Sequence, residues 1–177
     1  MKGLLIITGL GLFAMLAQIF NIRRMLLPAV LIGIGAAYAA NVMEWTQAMH
    51  FPYFDNMIFF DKPALAFSGV ILVTVFFWFI LSNDCFRDDT NRVDHFALVL
   101  FTIVGALMLT AFTNMTTLFL GIEIMSIPLY VLAASKKADP RSNEAGFKYL
   151  IMGSFASAFL LFGIALVYGA SGSFDLG

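Results

Sequence analysis

Six predominantly apolar stretches follow one another along the 177-residue chain, each close to the ~20 residues that a helix needs to cross a bilayer. Inside a bilayer, a backbone satisfies its own polar groups only as a helix or a closed barrel, and the sequence shows no barrel-type alternation. The composition agrees, with 61% hydrophobic and 12% charged residues, against about 25% charged in ordinary soluble domains. The sequence therefore predicts an all-α fold, a polytopic transmembrane helix bundle. The stretches are residues 4–20, 25–41, 64–82, 95–112, 114–134 and 145–170.

The first stretch also carries the features of a secretory leader, with Lys2 ahead of an apolar run. It is long enough to span a bilayer, however, and a second apolar stretch begins directly after the Asn-Ile-Arg-Arg segment that follows it. We therefore expect a first transmembrane helix that is retained.

Basic residues are concentrated in the segments that follow the first, third and fifth stretches. They are Arg23, Arg24, Arg87, Arg92, Lys136, Lys137 and Arg141, whereas the opposite side carries only Lys2 and Lys62. By the positive-inside rule we expect these loops in the cytoplasm and the N-terminus outside, in the inner (plasma) membrane of the cell. The aromatic-rich segment 42–63, which includes Glu44 and Trp45, is expected to be a connector at the outer membrane interface.

The remaining polar residues give no sign of a cofactor, a metal or a nucleic acid. The formal net charge of -1 provides no basic field for nucleic acid. His50 and His95 stand far apart without further ligands at metal-binding spacing, and Cys85, the single cysteine, is expected to be inert. We therefore expect that this chain binds neither a cofactor nor a metal.

A carboxylate, Glu123, lies inside the fifth stretch, in the run TTLFLGIEIMSIPLYVLAAS. It is roughly 14 Å from the start of the stretch at 1.5 Å per residue, close to the bilayer midplane. An ionised residue at this depth costs about 2.5–3.5 kcal/mol on insertion scales, so it must be neutral, paired or beside internal water. Two interpretations follow: a protonated acid that hydrogen-bonds helices together, or a protonatable group on a proton or ion path, which we favour.

Three neighbours of Glu123 are candidate supporting residues. Ser126 and Tyr130 follow at i+3 and i+7 and extend a polar face, either as simple helix–helix hydrogen bonds or as the lining of a water path. Pro128 leaves the carbonyl of Ile124 without its usual donor, so that this carbonyl can hold a water.

Lys148 is a second ionisable residue within an apolar stretch. Glu144 precedes it at i−4, so an ordinary salt bridge at the helix start competes with a role on a proton path. Small residues at four-residue spacing, Gly153 with Ser157 and Ala165 with Gly169, indicate close helix packing in the same stretch.

The second half of the chain resembles a known family. The run GIEIMSIPLYVL, followed by EAGFKY and SAFLLFGIALVYG, is similar to the antiporter-like membrane subunits of proton-pumping NADH:quinone oxidoreductase, respiratory complex I, and most to its subunit N family. The match is specific over residues 94–176, and before that it rests on the number of spans and on the FFDKPAL segment.

The resemblance implies a non-redox, proton-translocating subunit of about fourteen helices in two inverted repeats, of which this chain would be the N-terminal portion. Residues 1–94 would hold helices 1–3 with the outer connector, and residues 95–177 would hold helices 4–6, the start of the first repeat. Glu123 would tune the protonation of a lysine on a seventh span, and Lys148 would extend the path. NADH, FMN, iron-sulfur clusters and quinone would be bound by other subunits, and the partners would be other complex I membrane subunits and the lipid bilayer.

The chain departs from this family in its length, because the spans that carry the further lysines are absent. We expect a fragment of a longer subunit or a truncated product that is inactive in isolation. The alternatives are an Mrp-type cation/proton antiporter or hydrogenase membrane subunit with the same fold, and a non-catalytic scaffold.

Overall fold

The computed structural model describes residues 1–19, 26–46, 54, 57–85 and 92–176. Within these residues six helices follow one another without a sheet. They are α1 (Lys2–Ile19), α2 (Leu26–Trp45), α3 (Lys62–Cys85), α4 (Arg92–Thr110), α5 (Met115–Ala133) and α6 (Pro140–Ser171). The prediction of an all-α bundle is confirmed. The predicted cytoplasmic residues Arg23, Arg24 and Arg87, and also His50, lie outside the described residues.

Five of the helices, α2 to α6, are long and apolar enough to cross a membrane, and α1 is apolar over Lys2–Ala17. The multi-pass membrane character predicted from composition is therefore confirmed. Helix ends follow familiar capping chemistry: the side chain of Asn114 accepts from the backbone of Thr116 at the start of α5. At the end of α6, Gly172 closes the helix with a positive φ of 73° that suits glycine.

The core lies between the first four helices, and α4 is its central element. α4 packs against α1, α3 and α5, and half of its spanning residues are buried. Phe96 of α4 meets Phe79 of α3 edge to face, with ring centroids 5.0 Å apart. α6 is peripheral: it packs chiefly on α5, and only 6% of its spanning residues are buried among the described helices.

One end of the bundle is closed by short pairings of extended backbone around the α4–α5 turn. Phe59 donates its backbone N–H to Ala111 (2.8 Å), and Leu176 donates to Thr113 (3.0 Å). The side-chain amide of Asn114 also donates to Asp175 (2.7 Å). The segments before α3, between α4 and α5 and after α6 therefore share one end of the bundle, as the alternation of spans requires.

The second helix is longer than predicted, and the assignment of Glu44 and Trp45 to an interfacial connector was wrong. α2 continues to Trp45, and Glu44 is buried at the end of the helix. The carboxylate of Glu44 accepts from the Met1 ammonium (2.6 Å) and from the backbone N–H of Lys2 (3.0 Å). Burial lowers the pKa of the Met1 amino group, and the hydrogen bond to Glu44 opposes that shift. The buried carboxylate of Glu44 is tolerated at the end of α2 because the start of α1 supplies hydrogen-bond donors to it.

We predict that Glu44→Ala destabilises the bundle by about 1–3 kcal/mol, because it leaves partly buried donors at the start of α1 without an acceptor. Thermal unfolding of the purified protein in detergent measures the effect. Glu144→Ala is the matched control: its carboxylate is 62% exposed, against 9% for Glu44, and its loss should change stability by less than about 0.5 kcal/mol. Equal melting temperatures for the two variants would contradict the role of Glu44.

Candidate functional site

Glu123 lies about 12 Å along α5 from Met115 at a rise of 1.5 Å per residue, deep within the predicted span. Its Oε1 atom is buried and receives no hydrogen bond from any described residue. A buried carboxyl oxygen without a donor costs free energy of about 1–3 kcal/mol. The described helices thus hold the acid in place without supplying the partner that it needs.

Near Glu123, the position of α5 is fixed by a close approach between the backbones of α4 and α5. A Cβ atom on Gly105 of α4 would collide with the backbone nitrogen of Met125 and lie 2.7 Å from the carbonyl oxygen of Gly121. A Cβ on Gly121 would lie 2.8 Å from the Leu109 side chain. Gly121 and Glu123 are two residues apart, so their side-chain positions point to nearly opposite sides of α5. The glycine contact therefore seats α5 on α4 and turns Glu123 away from α4.

Tyr130 shares the face of α5 that carries Glu123, two helical turns further on. It is 9% exposed, and its ring meets Tyr149 of α6 edge to face, with centroids 4.8 Å apart. Its hydroxyl reaches Gly153, where a Cβ atom would collide with it. The predicted polar face of α5 is thus the face toward α6, and Gly153 is a site of close packing, as expected.

The other supporting residues act mainly within α5. The hydroxyl of Ser126 donates to the carbonyl of Ile122 at 2.7 Å, so its hydrogen is committed to its own helix. Pro128 is buried inside α5 and, having no N–H, provides no donor for the carbonyl one turn before it. A second predicted small-residue contact is missing from the described part of the chain: a Cβ on Gly169 would meet no atom within 4 Å.

Lys148 does not meet Glu123 in the described structure. Its ammonium pairs with Glu144 at 2.5 Å, and the two side chains are 68% and 62% exposed. This is the helix-start salt bridge that the spacing left open. The structure therefore places the two ionisable candidates on neighbouring helices but at separate positions.

A groove of about 660 Å³ runs between the ends of α4 and α5 and the first turns of α6. Tyr130 and Ile127 line its inner wall, and Asp94 and Lys137 line its polar end. His95, which is 5% exposed, also faces it. The groove therefore leads from the end of the bundle with the basic α5–α6 loop to Tyr130, two turns from Glu123.

Two structural features were missed in the sequence, one beside Glu123 and one at the end of α2. Gly105 stands alone in an apolar stretch, and only the contact with Met125 reveals its role. Glu44 was recognised as an acid but not as a buried one. Within the described ranges, no group of three His, Cys, Asp or Glu side chains is arranged to hold a metal ion.

The chain is similar to known membrane proteins in both sequence and fold. Residues 113–177 match the family described as NADH:quinone oxidoreductase/Mrp antiporter, TM. The fold superposes on a chain of respiratory complex I from Thermus thermophilus with bound aureothin (TM-score 0.80, 26% identity), covering 99% of this chain and 38% of that one. It also superposes on a chain of an archaeal membrane-bound sulfane sulfur reductase (TM-score 0.77, 22% identity, 99% and 39% coverage), which shows the fold alone.

The curated relatives that align with the chain carry the name of one subunit of such a complex. The NADH-quinone oxidoreductase subunit N of Flavobacterium psychrophilum is 41% identical over 177 residues, and that of Flavobacterium johnsoniae is 42% identical over 177 residues. Each alignment covers 99% of this chain and 38% of the relative. The chain is similar to the subunit N family of the antiporter-like membrane subunits, which confirms the resemblance seen in the sequence. It spans 38% of the length of these relatives.

We predict that Gly105→Ala destabilises the bundle by about 1–3 kcal/mol, because its Cβ would meet the backbone of α5 and not a flexible side chain. Gly163→Ala is the matched control, since a Cβ at this glycine of α6 meets no atom within 4 Å. Thermal unfolding of the detergent-solubilised variants distinguishes them. If both alanines change the melting temperature equally, the α4–α5 approach does not have the role assigned to it.

Proposed function

We propose that this chain is part of a membrane-arm subunit of an NADH:quinone oxidoreductase, in which quinone reduction elsewhere in the complex drives proton translocation through the membrane. The observation that carries the proposal is the buried, unpartnered Oε1 atom of Glu123 in the middle of a membrane-spanning helix. The names of the relatives that align with 99% of the chain support it.

The proposed role of Glu123 follows from the cost of its position. A carboxyl group at this depth needs a proton, a water or a cation, and no described residue donates to its buried oxygen. The resemblance implies a lysine on a seventh span as that partner. The relatives are more than twice as long as this chain, which leaves ample sequence for such a helix. Gain and loss of this pairing would couple the protonation of the lysine to events in neighbouring subunits.

Lys148 extends the proposed path on the face of α6 that is exposed among the described helices. Lys148 lies about 12 Å along this 32-residue helix at 1.5 Å per residue, and it is 68% exposed among the described helices. The remaining part of the subunit would cover this face. Lys148 would then exchange its ion pair with Glu144 for a partner on the covering helices.

The supporting residues have proposed roles along the same route. Ser126 and Tyr130 line the approach to Glu123, and the carbonyl released by Pro128 holds a water next to the acid. The groove that ends at Tyr130 is the proposed entrance for protons. With the basic loops in the cytoplasm, as the positive-inside rule predicts, this entrance faces the cytoplasm and the N-terminus lies outside the plasma membrane.

The proposed partners supply the redox chemistry. NADH, FMN, iron-sulfur clusters and quinone would be bound by other subunits of the complex, and this chain would contribute side chains for proton transfer only. The division into residues 1–94 and 95–177 remains a prediction that assigns α4 to α6 to the first proton-channel repeat.

The test is Glu123→Gln in the full-length subunit, assembled in its complex. An opposite charge within ~4–6 Å changes a protonation equilibrium by about one to three powers of ten, so we expect acidification per NADH oxidised to fall severely. Inverted membrane vesicles with a pH-sensitive dye provide the measurement. Asp139→Asn is the control, because asparagine preserves the N-cap of α6. Unchanged acidification in Glu123→Gln vesicles would exclude the proton-path role.

For Lys148 we expect Lys148→Met to lower acidification per NADH and Lys148→Arg to retain most of it, because arginine keeps the charge near Glu144. Complex assembly is checked in the same vesicles by blue native electrophoresis. If the methionine variant pumps as well as the arginine variant, the pair with Glu144 is only a helix-start salt bridge.

A second candidate is a cation/proton antiporter in another respiratory complex. It is favoured by the match to a family that includes Mrp antiporters and by the fold shared with the sulfane sulfur reductase chain. The two candidates differ in the driving force. In the first case NADH oxidation drives acidification in vesicles without sodium, whereas in the second a sodium gradient alone does so.

A further inference from the structure

A small cavity lies among the first four helices, near the end of the bundle that carries the α4–α5 turn. Its volume is about 10 Å³, close to the ~10–15 Å³ needed for one water molecule. It is independent of the Glu123 site and of the proposed function. The polar side chains in its lining are Asn41 and Glu44 of α2 and Ser68 of α3.

Asn41 is the first indication of what the cavity holds. Its side chain lies in a membrane-spanning helix, is 6% exposed and makes no hydrogen bond to another described residue; it lines this cavity and also the open groove between α2 and α3. The amide offers two N–H donors and a carbonyl acceptor, so it can hydrogen-bond a water that enters the cavity. Its position in the cavity lining gives the amide access to a small polar ligand.

The hydroxyl groups beside the cavity have too few hydrogens for their contacts. Ser68 Oγ lies 2.7 Å from the carbonyl of Ala64 and 2.9 Å from Thr110 Oγ1, which in turn lies 2.8 Å from the carbonyl of Leu107. Two hydroxyl hydrogens therefore serve three contacts. Ser68 Oγ has two lone pairs, of which Thr110 can use at most one, so it can accept from a further donor.

Glu44 supplies the third polar wall. Each of its carboxylate oxygens accepts one hydrogen bond, from the Met1 ammonium or from the Lys2 backbone. Because a carboxylate has about four lone-pair sites, further donors can be accepted there. The lining of the cavity thus offers N–H donors at Asn41 and acceptor oxygens at Glu44 and Ser68.

We propose that this cavity binds a single water molecule that links α2 and α3. The water accepts a hydrogen bond from the Asn41 amide and donates its two hydrogens to Glu44 and Ser68. Its three bonds match the number that buried waters typically make. Through the Ser68–Thr110 contact the network extends to α4, and through Glu44 it extends to α1. The site therefore joins the ends of four helices by polar contacts in an otherwise apolar interior.

A high-resolution cryo-electron microscopy map of the assembled complex tests the proposal. We expect a density peak within about 2.7–3.2 Å of the Asn41 amide nitrogen, a Glu44 oxygen and the Ser68 hydroxyl. A cavity without density, in a map that resolves other buried waters in the same subunit, would overturn the proposal. A peak with the bond lengths of a metal ion would also overturn it.

Two variants identify the ligands of the water. In Asn41→Leu the peak should disappear, because the donor is lost and the cavity becomes more apolar. Ser68→Ala keeps the size of the side chain almost unchanged and should weaken the peak, and it serves if the leucine variant fails to assemble. Thr74→Val on α3 is the matched control, since its hydroxyl donates to Val70 and lies outside the cavity lining. A peak that persists undiminished in both test variants would show that Asn41 and Ser68 do not hold the water.

Discussion

The packing of α4 at the centre of the bundle is the constraint on which the rest of the structure depends. α4 contacts α1, α3 and α5, and its buried face carries the large core side chains, such as Phe96 and Leu100. Gly105 brings α5 to backbone contact with it. Because α5 is held on one side by this contact, the opposite side of α5 is left for Glu123 and Tyr130. The position of the candidate site is therefore a consequence of how α4 is packed.

Glu44 and Glu123 both lie within membrane-spanning helices, but their hydrogen bonding differs. Glu44 is satisfied locally, because the start of α1 supplies an ammonium group and a backbone N–H. Glu123 has a buried oxygen without a donor among the described residues. A satisfied acid stabilises the contact between two helices, whereas an acid that is held without a partner is able to respond to a proton or to a charge that arrives from elsewhere. This contrast is the physical reason for proposing a function for Glu123 and a structural role for Glu44.

The exposure of α6 distinguishes it from the helices of the core. Only 6% of the spanning residues of α6 are buried among the described helices, and Lys148 and Glu144 pair on its exposed side. The relatives that align over 99% of this chain extend well beyond its length. The open face of α6 has room for close contact at Gly163 and Gly169, where a Cβ would meet no described atom within 4 Å.

The sequence by itself determined the six helices of the described residues, because a backbone in a bilayer must satisfy its own hydrogen bonds and long apolar stretches indicate where it crosses. It also identified Glu123, since an acid within an apolar run is costly wherever the run folds. Only the tertiary structure decided that Glu44 is buried, that Gly105 fixes α5 and that Lys148 pairs with Glu144 on the outer face of α6. The burial of Glu44 and the contact of Gly105 depend on which residue of another helix lies opposite, and the hydrophobic pattern of one helix does not encode the residue that faces it. The Lys148–Glu144 pair lies within α6, where the spacing allowed it and the structure showed that it forms.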